Sequence, residues 1–573
     1  MKKIMTCLVV IMTIFILVGC SKSGGYDVNI KPSYGPSQSD ASIPTGESYN
    51  SIVENPFVNT THEKYSYFSM DSFTAAYSNL RRYIQSGMSL PADIIKTDEL
   101  INYFHYDLAE PADGETFHIS AEMGKTPWNE KTSLITIGVK TKTEKPDASK
   151  GNNIVFLLDV SGSMSTDNKL PLVKEAMCML VDTLSENDCI SIVTYASGVK
   201  TILDGGYADN KTVIKNQINS LEARGSTNGE GGIELAYAVC EKHFIPGGNN
   251  RVIIASDGDF NVGKSSQTDV QGLIKEKLNT GIYLTALGFG MGNYKDTTME
   301  TLAKNGNGGY AYIDSIQEAK KVLVDEIDKT LVTVAKDVKN MVSFNSDYVT
   351  SYRLIGYENK LLTEDDFNDD KKDAGEVGSG HTTIVCYEVV LNGKENESSN
   401  ALFDVKINYK DPITNESKTT EKSFSGADVN HQSENFYFVS ALVEFSLSLR
   451  NSPYKENATY QHALEMLDAN CSNFLKNDEY KLEFYNLVTT ALKRGLVAEE
   501  TNQVKIEIYA YFGKKIMFVP KNTLIDEKMI IREVYGNNAN AKVYCDADFS
   551  IRFDTTYAYE NMVVFIEKIS EKI

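Results

Sequence analysis

The sequence predicts an α/β protein built on a doubly wound, mainly parallel sheet, with a small mixed module before it and a β-rich, then helical, region after it. Three observations carry this. Residues 154–158 form an unbroken apolar run, Ile-Val-Phe-Leu-Leu, the pattern of a central strand buried on both faces. Val173, Ala176, Met177, Leu180, Val181 and Leu184 follow at helical spacing and mark one face of a helix. Apolar runs at 190–195, 252–255 and 282–287 then alternate with helical stretches at 233–244, 268–280 and 315–330. Such alternation implies right-handed crossovers between parallel strands.

The other elements follow the same logic. Residues 73–84 and 93–104 read as helices, and 116–121 and 133–139 as strands, so 63–150 is a mixed module ahead of the sheet domain at 151–333. Alternating runs at 383–391 and 402–409 make 334–430 β-rich, and 431–495 returns to helix. Within 496–573, residues 504–511 and 562–566 read as strands without an assigned architecture. The acidic stretch 364–376 does not fit a calcium-binding EF-hand, because Lys371 and Val377 stand where the turn glycine and the bidentate glutamate are required. It reads as a solvated loop.

At the N-terminus Lys2 and Lys3 precede an apolar run over 4–18 that ends in Leu17-Val18-Gly19-Cys20. A run of that length is shorter than the ~20 residues of a spanning helix and reads as a cleaved leader, residues 1–19. The four closing residues resemble a bacterial lipobox, which implies that Cys20 carries diacylglycerol and anchors the chain to a membrane. The Ser-, Gly-, Pro- and Asn-rich segment 20–62 reads as a flexible tether. Everything beyond it is expected on the extracytoplasmic side of the cell membrane.

Composition narrows the function. A formal charge of −21 with no basic stripe argues against nucleic acid. The eight cysteines show neither a C-x-x-C pair nor a disulfide framework, and Cys178 and Cys240, on apolar stripes, read as buried free thiols.

One constellation carries chemistry. Asp159-Val-Ser161-Gly-Ser163 begins where the first buried strand ends, Thr227 lies in a Gly-rich loop before a helix, and Asp257 follows the strand around 252–255. All emerge at the carboxyl edge of one sheet, where open α/β sheets bind ligands. Two carboxylates and three hydroxyls make an all-oxygen set for a hard cation. Two aspartates neutralise a divalent ion without saturating it, which leaves a position for water or for an acidic group from a partner.

This pattern resembles the von Willebrand factor A domain and its metal-ion-dependent adhesion site, matched at Asp159, Ser161, Ser163, Thr227 and Asp257. The resemblance implies Mg²⁺ (or Mn²⁺) bound directly by the two serines, with the threonine and aspartates acting directly or through water. It implies a binding and adhesion protein, not an enzyme, whose partner is a protein or glycan that offers a carboxylate. It extends to a bacterial subfamily of exported proteins through Thr74-Ala-Ala-Tyr77-Ser-Asn79-Leu-Arg81-Arg82, Pro127-Trp128-Asn129, Tyr352-Arg-Leu-Ile-Gly-Tyr-Glu-Asn359 and the acidic run 365–376.

Three rival readings stand beside it. Gly258-Asp-Phe-Asn-Val-Gly263-Lys264-Ser265 satisfies a phosphate-binding loop pattern, but Asp257 and Asp259 beside the first glycine would repel phosphate. A hydrolase with Ser161 or Ser163 as nucleophile lacks a G-x-S-x-G elbow and would need a distant base, His243 or His381. A non-binding scaffold of the envelope is the third.

Overall fold

The computed structural model describes residues 46–145, 151–260, 280–394 and 400–498 continuously, single positions between 272 and 277, and separate elements between 503 and 568. The leader, Cys20, Lys264 and Ser265 lie outside the described residues, as does most of the helical stretch expected at 268–280. Among the described residues no helix is long and apolar enough to cross a membrane.

The central domain has six strands: β1 (Asn152–Asp159), β2 (Cys189–Tyr195), β3 (Val199–Tyr207), β4 (Asn249–Ser256), β5 (Tyr283–Phe289) and β6 (Tyr310–Ile313). Their order is β6-β5-β4-β1-β2-β3, all parallel except β3, which returns antiparallel along β2. Every residue of β1 and β2 is buried, as both-face burial requires. On one face Leu170–Thr183 and Lys211–Asn219 complete an apolar core, and on the other Gly229–Lys242 and Asp296–Asn305 do. The chain winds outward from β1 in both directions, so the gap between β1 and β4 is the topological switch point, the position where such sheets open a ligand crevice. The stretch expected as one helix at 315–330 is interrupted by a π-turn over Lys321–Asp325.

Stretches 63–150 and 334–430 are interleaved rather than successive. One antiparallel sheet runs in the order Val58–Asn59, Val349–Ile355, Thr382–Leu391, Ser133–Thr141, Phe117–Lys125. The facing sheet is built on Thr333–Phe344, which pairs with Tyr65–Ser69 and with Ala401–Lys410, and Ser417–Ser425 pairs with the latter. A shared core holding Ile119, Ile137, Tyr387, Val342, Phe403 and Ile407 makes them a sandwich. Helices Ala75–Ser86, Thr97–Asn102, Glu434–Arg450, Tyr460–Asn470 and Glu479–Arg494 pack together with Leu134, Ile384 and Cys386 of the first sheet.

Three further features differ from the sequence expectations. The tether is shorter at its C-terminal end: Ile52, Asn55 and Thr60 are buried, and Asn55 donates to the carbonyls of Leu354 and Gly356, so 46–62 is packed chain. The acidic stretch contains a short helix, Glu364–Asn368, closed by a capping box between Thr363 and Asp366. Cys178 is half-buried, whereas Cys189, Cys240, Cys386 and Cys471 are buried, and all five are free thiols. The last residues, left without architecture, hold a four-stranded sheet ordered Gly513–Pro520, Gln503–Ala510, Met562–Lys568, Ala541–Tyr544.

Buried ion pairs knit the parts. Arg81 on Ala75–Ser86 reaches Asp314 and Glu318 of the central domain and Glu483 of the helical region, at 2.7 Å for Glu318 and 2.9 Å for Glu483. Lys96 reaches Asp296 at 3.1 Å and Glu300 at 2.9 Å, and Lys360 reaches Asp71 and Asp98 at 2.8 Å each. Removing one partner of such a pair strands a charge away from water. Arg81→Met is therefore expected to lower unfolding stability by about 3–5 kcal/mol in a denaturant titration. Lys320→Ala, which breaks a solvent-exposed pair with Asp325, should leave it nearly unchanged in the same titration.

Candidate metal centre

Asp159 ends β1 in full burial, and its carboxylate turns the chain that follows. Its Oδ1 accepts the Ser161 amide at 2.9 Å, which sets Ser161 at the head of a short 3₁₀ turn, Gly162–Ser165. Met164 plugs that turn into the core beneath. The Ser161 and Ser163 hydroxyls then lie 3.0 Å apart on the same side of the loop.

A second loop is stitched to the first by backbone. The Arg224 amide donates to the Val160 carbonyl at 2.8 Å and the Gly162 amide to the Gly225 carbonyl at 2.9 Å. These bonds carry buried Thr227 to the serine turn, while Asn228 caps the helix Gly229–Lys242 by accepting from the Gly231 amide. Gly229 has no side chain for a packing reason: a Cβ there would run into the Phe260 ring, which stacks on Tyr195 with ring centres 6.0 Å apart.

Asp257 follows β4, the strand beside β1, and is likewise fully buried. The Ser256 hydroxyl ties the loop after β4 to Asp159, donating to Asp159 Oδ2 at 2.9 Å and accepting the Gly258 amide at 2.9 Å. Asp257 Oδ1 accepts the Asp259 amide at 3.1 Å. Its Oδ2 accepts from Lys169 Nζ at 2.8 Å and Asn293 Nδ2 at 3.0 Å. Lys169 Nζ also donates to Asn293 Oδ1 at 2.6 Å, which closes a three-membered ring of contacts. The lysine stem crosses the space a side chain at position 290 would fill, and Gly290 there has φ +88°.

All five residues expected from the sequence thus lie on three loops joined at one sheet edge. The sequence reading missed Lys169, Asn293 and Ser256, and a lone lysine before a helix or asparagine in a loop carries no spacing signal that would have marked them. The electrostatics fit a cation. Burial, then the neighbouring charge of Asp257, pushes the Asp159 carboxyl up to about 6 against the pull of hydrogen bonds from Ser161 and Ser256. Among the described residues Asp159 has no ion-pair partner, so two buried carboxylates share one ammonium, Lys169. Two hydroxyls at the mouth and an uncompensated carboxylate below are the donor set of a hard divalent ion.

Elsewhere, Asp337, Asp373 and Glu376 bring one carboxylate oxygen each within 4.8 Å of one another. Lys410 already holds Asp337 at 2.6 Å, and burial pushes Glu376 well above the usual carboxylate range, which favours its neutral form. Of the phosphate-loop pattern, the described part is otherwise engaged, since Gly258 bonds Ser256 and Phe260 stacks on Tyr195.

Three family matches follow one another along the chain: von Willebrand factor at residues 43–136, von Willebrand factor type A domain at 153–327, and the C-terminal region of the uncharacterized protein YfbK at 329–493. Domains of this type commonly bind a divalent metal at a metal-ion-dependent adhesion site. The uncharacterized protein YfbK of Escherichia coli (strain K12) is 35% identical over 466 residues, which span 77% of this chain and 80% of that one. Inter-alpha-trypsin inhibitor heavy chain H3 of Mus musculus is 32% identical over 168 residues, 27% of this chain but 18% of that relative's length. Among solved structures, a von Willebrand factor type A protein from Catenulispora acidiphila aligns with 70% of this chain and 99% of its own at 12% identity and a TM-score of 0.39. The chain belongs to the von Willebrand factor type A domain family, as a relative of YfbK along most of the length of both proteins.

Proposed function

We propose that this protein is a lipid-anchored, extracytoplasmic binding protein that captures an acidic group of a protein or glycan through a divalent cation, Mg²⁺ in the first place and Mn²⁺ as an alternative. The observation that carries the reading is the meeting of Asp159, Ser161, Ser163, Thr227 and Asp257 at the switch point of the sheet, with one lysine set against two buried carboxylates. In this reading the serine hydroxyls hold the ion directly and the aspartates and Thr227 hold it directly or through water. A coordination position then faces outward for a partner's carboxylate. The reading is of a binder and not an enzyme. His243, the base a serine nucleophile would need, bonds Asp204 at 2.7 Å at the far end of the helix that Asn228 begins, about 21 Å away at 1.5 Å per residue. The anchoring half rests on the leader and Cys20 alone.

Calorimetric titration of Mg²⁺ into the detergent-solubilised protein tests the site. One saturable equivalent is expected, abolished in Asp159→Ala; no binding by the wild type would refute the reading. Proton linkage gives a second check. Asp159 holds its proton more tightly folded than unfolded, so the metal-free protein loses roughly 3 kcal/mol of stability as pH rises from about 4 to about 6. Metal must displace that proton, so Mg²⁺ affinity should fall about tenfold per pH unit below 6 and level off above it. For the anchor, Cys20→Ser should move the protein from the membrane fraction to the soluble one; retention in the membrane would count against lipidation.

A further inference from the structure

The Lys169 contact deepens the proposed function and rests on it. A buried ammonium 2.8 Å from Asp257, with both side chains almost wholly out of solvent, is a fixed part of the site's charge. It is held by design of the surroundings: Asn293 accepts from it at 2.6 Å, and Gly290 leaves room for its stem. Its influence on anything bound within a few ångströms is therefore weakly screened.

The charge count has a consequence. Asp159, Asp257 and Lys169 together carry one net negative charge, and a divalent ion on the serines turns that to one net positive charge. Without the lysine the loaded site would be neutral. Of the neighbouring charged groups, Asp259 is half-buried and 3.4 Å from Asn293 Nδ2, and the Lys295 ammonium is engaged by the Gly46 carbonyl. Neither is locked against the paired aspartates as Lys169 is.

We infer that Lys169 is the specificity-determining residue of the site: it gives up cation affinity so that the loaded site keeps a surplus positive charge, which a partner's carboxylate cancels. A lysine that merely props Asp257 in place would strengthen metal binding and carboxylate binding alike. A lysine that sets the charge opposes the first and promotes the second, and that opposition of signs separates the two roles.

The experiment uses the detergent-solubilised full chain with Mn²⁺ as the cation, read by water-proton relaxation, and acetate as the carboxylate probe displacing Mn²⁺-bound water. Lys169→Gln keeps a hydrogen-bond donor for Asp257 and removes the charge. It should bind Mn²⁺ about tenfold more tightly and acetate about tenfold more weakly, modest for one charge a few ångströms away at an effective dielectric constant of about 20. The Mn²⁺-induced rise in Tm should grow in parallel. Asn293→Asp, which cancels the lysine with a new carboxylate, should move both affinities in the same directions and serves where Lys169→Gln does not fold. Unchanged or weakened Mn²⁺ binding, or acetate binding that is absent from the wild type or indifferent to both substitutions, overturns the inference. A wild type that binds no Mn²⁺ overturns the proposed function itself.

Discussion

Two carboxylates held side by side out of reach of water place a strong demand on the central domain, and much of that domain can be understood as meeting it. Asp159 and Asp257 stand at the ends of adjacent strands because the chain reverses its direction of winding between β1 and β4. That position opens a crevice, and it also forces like charges together. The cost is visible in Asp159, whose proton is held to about 6. What offsets it is local: Ser256 donates to Asp159, the Ser161 amide donates to Asp159 and the Asp259 amide to Asp257, and Lys169 supplies a buried positive charge against Asp257. None of these saturates the pair. A site left short of positive charge by its own fold is one prepared for an ion.

The parts outside the central domain hold that arrangement still. The segment from residue 46 lies against the loop that carries Asn293, since Glu47 accepts the Gly292 amide at 2.7 Å as well as two hydrogen bonds from Arg82. Arg82 follows Arg81, whose own ion pairs span the central domain and the helical region. One helix turn of Ala75–Ser86 thus ties the metal-side loop, the C-terminal edge strand β6 and the helices beyond into one body. Pairs so deeply buried add little net stability over apolar contacts, but they admit one geometry and penalise others. For a site whose ligands come from three loops, a single geometry is the useful property.

The central sheet was legible in the sequence because its signal is local. Residues 154–158 need both faces covered wherever they are placed, and Asp-x-Ser-x-Ser directly after such a run can only stand at a strand end. The sandwich was not legible as one unit, since Ser133–Thr141 pairs with Thr382–Leu391 across about 240 residues of chain and nothing in either strand names its partner. The strand β3 escaped notice for a different reason: its residues are mostly exposed or half-buried, so no apolar alternation marks it. The capped helix at Glu364–Asn368 could have been found, because Thr363 and Asp366 stand at capping-box spacing and only the density of acidic residues made the stretch look like a loop. Lys169 was invisible because its importance comes from where its ammonium ends, not from any spacing.

The proposed function is one of holding and not of cutting. A hydroxyl becomes a nucleophile when a base takes its proton, and none of the chain's seven histidines falls on the three loops that build the site. His243 is spent on Asp204 and sits at the opposite end of its helix, while His381 is buried, and burial lowers its pKa to about 3, which makes it a weak base. Hydroxyls that give their lone pairs to a cation are weaker nucleophiles still. In the proposed function the remaining chemistry is attraction: an ion seated on two serines, a lysine behind it, and an outward position that an oxygen anion fills better than water.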